Sequence, residues 1–202
     1  MKNKGFTLVE LLTMLVVLGI LMLVAVPNIT GILDSHKTNI ILNDAATMLD
    51  NAKVKVTQNS KMEKPKDGEC IALSLQYIDD SQSVVKGPND GIYNRYESFV
   101  LMKRERSQYY YYVRLVEEKE GKNPYGIHIK TPKELEDVSN VEALSLLGLD
   151  KIPDIDPTKS YTADERKAII RDRQDKITAN VGKLNAEGSI SGICTNQVVN
   201  YY

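Results

Sequence analysis

The strongest constraint on this chain is an apolar run near its start that holds one acid. From Leu11 to Val26 the only polar side chain is Thr13, and Pro27 follows directly. Counting back to Phe6 gives 21 residues whose single charge is Glu10. At ~1.5 Å per residue this makes about 30 Å of helix, the thickness of a bilayer's hydrocarbon core. Lys2 and Lys4 precede the run without a compensating acid, which places that end in the cytoplasm and the bulk of the chain outside. An ordinary secretory signal peptide starts in the same way but ends in a small-residue cleavage site. Here the run ends Leu23-Val24-Ala25-Val26-Pro27-Asn28, without that pattern, and continues into helix-like sequence. The layout predicted is one span followed by an external domain.

An acid within hydrocarbon is costly unless something neutralises it, so Glu10 reads as functional. No Lys or Arg lies in the span, and the partner is therefore expected from another chain or from a new terminus. The string Lys4-Gly5-Phe6-Thr7-Leu8-Val9-Glu10 resembles the class III leader and cleavage motif of type IV prepilins and pseudopilins, residue for residue. The resemblance implies that a prepilin peptidase cuts after Gly5 and that the exposed Phe6 is N-methylated. It also implies an assembly role for Glu10, which falls at the fifth position of the mature chain and neutralises the N-terminal amine of a neighbouring subunit. Each charge is expensive to bury alone, and the pair forms only when subunits are in register. Losing Lys2 and Lys4 with the leader takes the formal charge from −1 to −3, which carries no strong message about partners.

Beyond the span the pattern becomes amphipathic. Pro27 lacks a helical N–H and crowds the preceding turn, so a kink or local melting is expected there, with a rigid kinked helix as the alternative. Leu42, Ala45, Leu49, Ala52 and Val56 recur at three- and four-residue steps, which predicts a helix with one buried stripe to about Asn59. The chain thus divides into a cleaved leader (1–5), a transmembrane and assembly helix (6–30), the amphipathic half of the same helix (31–59) and an extracellular head (60–202).

Hydrophobic residues at 42% and charged residues at 26% indicate a folded head. Its predicted class is α+β, a long helix packed on a small antiparallel sheet with extra short helices, which is also the plan the pilin resemblance implies. Ile71 to Ile78 reads as a short helix or turn. Ser98 to Lys103 and Gln108 to Val116, rich in aromatic and β-branched residues, read as strands joined by Arg104-Glu105-Arg106-Ser107, with a third strand over Tyr125 to Lys130. Thr131 with Pro132 marks a helix start, and Leu135 to Leu149 is expected to hold one or two short helices. Thr162-Ala163-Asp164-Glu165 opens a charged helix to about Asn180, read as a solvated face. Ile190 to Tyr202 is expected to be a final strand or docked tail.

The other candidate residues have ordinary explanations. Cys70 and Cys194 are the two cysteines; in an exported domain they suggest one disulfide, with two buried thiols as the alternative. His36 and His128 lack cysteines or acids at ligand spacing. Asp154 and Asp156 sit in a loop bracketed by Pro153 and Pro157 that lacks the glycine and later Glu of an EF-hand. The Tyr109 to Tyr112 run offers stacking surface, but alternation along a strand commits half of it to the core. No nucleophile elbow, phosphate loop or acid–base pair is present, so no enzymatic activity, metal or cofactor is expected, and the net charge does not indicate nucleic acid.

The resemblance implies a major or minor pilin serving adhesion, surface motility or biofilm formation. Its partners would be other pilin subunits, the prepilin peptidase, the assembly platform with its ATPase, and the cytoplasmic membrane before export into a surface pilus. A pseudopilin of a type II secretion or competence filament and a monomeric membrane-anchored adhesin are the alternatives.

Overall fold

The computed structural model describes residues 7–79 and 84–202, with residues 23–33 described as backbone only. Gly5 and Phe6, where cleavage and methylation are expected, lie outside the described residues, as does the leader 1–5. Helix α1, Leu8–Gln58, runs for 51 residues and stays helical through Pro27. At ~1.5 Å per residue it is about 76 Å long. Asn59 closes it, donating its N–H to the Lys55 carbonyl at 3.0 Å. Among the described residues no helix is long and apolar enough to cross a membrane. The expected span of 6–30 also draws on Phe6 and on the side chains of 23–30, which are outside that set.

The amphipathic half of α1 buries the predicted stripe. Leu42, Ala45, Leu49, Ala52 and Val56 are covered, joined by Ile41 and Met48 on the same face. They pack on one side of a sheet formed by β1 (Cys70–Ser74), β2 (Ile92–Tyr93), β3 (Phe99–Glu105), β4 (Gln108–Glu118), β5 (Tyr125–Lys130), β6 (Val141–Ala143) and β7 (Val198–Tyr201). The spatial order is β6-β5-β4-β3-β1-β7, with β2 pairing the far end of β4. A short helix α2, Leu75–Ile78, follows β1.

The sheet differs from the small antiparallel one expected. Among the described residues it has seven strands and is mixed, because β7 returns to lie parallel to β1. The segment read as a short helix or turn over 71–78 begins as a central strand and becomes helical only at Leu75. All five β1 residues are buried, since both faces of the sheet are covered, so the alternation that advertises a half-buried strand is missing. Ile71 and Leu73 face α1, while Cys70 and Ala72 face a second core.

That second core lies under α3, Ala163–Ala186, and α4, Gly188–Ile193. Leu184, Ile190, Phe99, Leu101 and Tyr201 meet there with Leu149 and Ile152 of an irregular segment. Thr162 caps α3 through a reciprocal box with Glu165, as its spacing predicts. The helix outruns the expected end by six residues, because Asn180 and Leu184 are buried at its C-terminal half. The expected short helices of 135–149 are two 3-10 turns, Pro132–Glu136 and Val138–Asn140, followed by β6.

The β3–β4 hairpin turns on Arg106 and Ser107, both with positive φ (48° and 67°), which matches the right-handed twist of the paired strands. The Arg106 N–H donates to Asp67 Oδ1 at 2.7 Å and steadies this conformation. Gly126 in β5 sits beside a register shift at φ 153°, where a Cβ would come within 2.1 Å of the Leu115 carbonyl oxygen. Only glycine permits that approach.

Candidate assembly site and a buried polar seam

The first turns of α1 stand clear of the head. Leu8 is 79% exposed and Met22 62%, and large apolar side chains between them are likewise uncovered. Apolar residues occupy every face of this stretch, so no single stripe seeks the protein's own core. Burial must come from a surrounding outside the subunit.

Glu10 has a partner that the sequence reading sought in another chain. Thr7 is the N-cap of α1, and its N–H and hydroxyl both donate to Glu10 Oε2, at 2.9 and 2.7 Å. The Glu10 N–H donates in return to Thr7 Oγ1 at 3.3 Å. The pair is a capping box, and its signal was present as Thr7-x-x-Glu10, the spacing also used at Thr131 and Thr162. Both side-chain bonds fall on Oε2, which leaves Oε1 available to a second donor.

The other expected sites resolve into structure. Cys70 and Cys194 are joined, with Cα atoms 5.7 Å apart, tying the first residue of β1 to the C-cap of α4. Asp154 pairs with Arg173 at 3.2 Å, and Asp156 accepts from the Thr158 hydroxyl and amide at 2.7 and 2.9 Å. Among the described residues no three His, Cys, Asp or Glu side chains cluster in a way that suits a metal ion. In the tyrosine run, Tyr109 and Tyr110 are exposed, whereas Tyr111 and Tyr112 pack against opposite cores.

A polar seam joins β4, β5 and the segment before β3 to α4, and no sequence signal reveals it. Arg114 is 1% exposed; its Nη1 donates to His128 Nδ1 at 2.7 Å and its Nη2 to the Ser145 carbonyl at 2.6 Å. Glu97 lies 3.7 Å from the same Nη2 and accepts from the Leu147 and Leu149 amides. Arginine can only donate, so His128 carries its proton on Nε2 and donates to Ser189 Oγ at 3.2 Å. Ser189 then donates to Glu187 Oε1 at 3.1 Å. With Nε2 protonated and Nδ1 engaged, this imidazole has no free lone pair with which to act as a base toward Ser189.

Protonating His128 would set a new N–H against the Arg114 guanidinium. Burial first, and then the Arg114 charge, hold its pKa below the ordinary value near 6.5, with Glu187 and Glu142 opposing and Lys130 assisting. The unfolded chain therefore binds this proton more readily than the folded one. Stability from this site is complete above about pH 6.5 and declines as pH falls from there toward the lowered folded value. Chemical denaturation of wild type and His128→Gln, whose amide can replace both imidazole bonds, is expected to show a shallower loss between pH 7 and 5 in the variant. Parallel slopes would refute the assignment.

A half-buried carboxylate, Asp44, and a buried one, Glu117, shape the loop that leads into β2. Tyr93 donates to Asp44 Oδ2 at 2.7 Å, and burial pushes the Asp44 carboxyl above the usual range, against the effect of that bond. Glu117, also buried, accepts from the Asn89 amide and side chain and from the Gly91 amide, at 2.9 to 3.0 Å. A Cβ at Gly87 would fall 2.1 Å from the Glu117 carboxyl carbon, so this loop closes directly over the acid.

Comparison with known families reaches the N-terminus only: residues 1–26 match the prokaryotic N-terminal methylation motif. They form the class III signal peptide of type IV pilins. The match supports a type IV pilin-like N-terminal segment, and a leader of this kind implies in general a prepilin peptidase and other pilins as partners. It also suggests a chain anchored in the membrane and later exposed on the surface. Neither the curated proteins nor the solved structures yield a match. The pilin-type segment includes Glu10 and the uncovered apolar stretch from Leu8 to Met22, whereas the mixed sheet and α3 lie beyond it.

Proposed function

We propose that this protein is a structural subunit of a type IV pilus. It is held in the cytoplasmic membrane by the first half of α1 until Gly5–Phe6 is cut, then packed into a surface filament through that same helix. The observation that carries the reading is an all-round apolar, uncovered helix start bearing one acid directly behind the pilin-type leader. In the bilayer the apolar surface meets lipid; in the filament it meets the equivalent helices of neighbours. Glu10 keeps Thr7 on Oε2 and offers Oε1 to the Phe6 amine of another subunit. Pro27 gives the helix a place to bend as it leaves the membrane. The head forms the exposed shell of that filament.

The capping box makes the test sharper. Glu10→Ala removes both charge and cap, whereas Glu10→Gln retains a capping-box side chain and removes the charge alone. Both variants are expected to be cut after Gly5, with mature chains beginning at Phe6 by N-terminal sequencing, and both are expected to be nearly absent from sheared surface filaments. Normal incorporation of Glu10→Gln would show that the acid is only a helix cap. A mature terminus other than Phe6 would reject the filament reading.

A further inference from the structure

A cavity of about 580 Å³ opens where α1 meets the base of the head. It is walled by Asp34 and Lys37 of α1 and by Glu117, Lys119, Lys122 and Tyr125 of the head. We propose that this groove holds a phospholipid headgroup while the subunit waits in the membrane, with the phosphate on Lys37 and Lys122. The proposal rests on the membrane-held state of the proposed function.

Its position follows from the charge pattern of α1. Between Glu10 and Asp34 lie 23 residues without a formal charge. At ~1.5 Å each they cover about 34 Å, slightly more than the hydrocarbon core, so the first charges beyond them enter the headgroup layer. Asp34 and Lys37 are those charges, and the groove is built around them.

Its chemistry suits a phosphate beside an amine. Lys37 is half-buried, Lys122 is exposed, and among the described residues neither is engaged in an ion pair. Lys119 is held by the Asn89 carbonyl at 3.0 Å and by Asp90 at 3.3 Å, which fixes one wall. Glu117 lines the same wall, its carboxylate held in place by three N–H donors of the loop. Asp34 is an exposed acid at the rim, without an ion pair among the described residues and placed to receive the ammonium of an amine-bearing headgroup. Lys37 and Lys122 supply two cations for a phosphate, beside the acids Asp34 and Glu117 of the same lining.

Solid-state NMR of the full mature chain in phosphatidylethanolamine–phosphatidylglycerol bilayers tests this through dipolar dephasing of lysine side-chain nitrogens by lipid phosphorus. Wild type is expected to show dephased lysine signals, and Lys37→Gln with Lys122→Gln is expected to lose at least half of that effect. Lys151→Gln, on the opposite side of the sheet, should match wild type. Undiminished dephasing in the double variant overturns the proposal, as does an inserted wild type with none. Contacts from these lysines to differently labelled protein copies instead of lipid assign the groove to a second subunit and also overturn it. Resistance to alkaline carbonate extraction separates the two levels: a chain that washes off the bilayer removes the membrane reading itself, and this proposal with it.

Discussion

Replacing Arg114 with leucine is expected to destabilise the head by about 3–5 kcal/mol, the usual cost of breaking a buried ion pair from one side. Leucine leaves Glu97 charged in a closed site with the Leu147 and Leu149 amides as its remaining partners. It also strands the Ser145 carbonyl and His128 Nδ1. The native pair is not itself tight: Nη2 stands 3.7 Å from Glu97, and the Arg114 Nε is buried without an acceptor. Arg114 therefore adds little as half of a salt bridge and much as the donor that satisfies three elements together. A double replacement, Glu97→Gln with Arg114→Met, removes both charges at similar volume and is expected to cost clearly less than Arg114→Leu alone. Denaturant midpoints for the cycle decide this. Equal losses for the single and double variants would mean that packing volume, not an uncompensated charge, dominates.

The contrast between this seam and the rest of the fold shows where sequence is informative. Local periodicity was sufficient for the α1 stripe, for the β3–β4 hairpin and for β5, whose bounds of Tyr125–Lys130 match the expected strand. Caps were readable for a related reason, since Thr162 and Glu165 meet across one turn. Thr7 and Glu10 carry the same spacing, in a place where the acid also stands out as a lone charge in an apolar run. By contrast β1 looked helical because α1 and α3 cover both its faces, and β7 pairs with it across more than a hundred residues. His128 looked isolated because its partners come from β4, α4 and the connection between α3 and α4. Contacts of that separation leave no period in the chain, and charge counting cannot find them.

The Cys70–Cys194 bridge is the long-range contact with the largest expected effect. It spans 124 positions, and closing a loop of that size stabilises by about 4–5 kcal/mol in the chain-entropy account. Replacing both cysteines with alanine is therefore expected to lower the melting temperature by roughly 10–15 °C for a domain of this size. The loss should be felt first at one end of the sheet. Cys70 opens β1 and aligns with Val198 of β7, so the bridge fixes the register of this parallel pairing. Asn185 of α3 reinforces that strand by accepting from the Val198 amide at 2.7 Å and donating to its carbonyl at 3.0 Å. Cys194 also closes α4, which carries Ser189 to His128, so covalent and polar fastenings hold the same short helix. The two should consequently be coupled: His128→Gln is expected to cost little with the bridge intact, and more once α4 is released. Hydrogen exchange in the double-alanine protein should show α4 and β7 opening well before β3 and β4. Uniform loss of protection across the sheet, or a melting shift of only a degree or two, would show that noncovalent packing alone holds that edge in place.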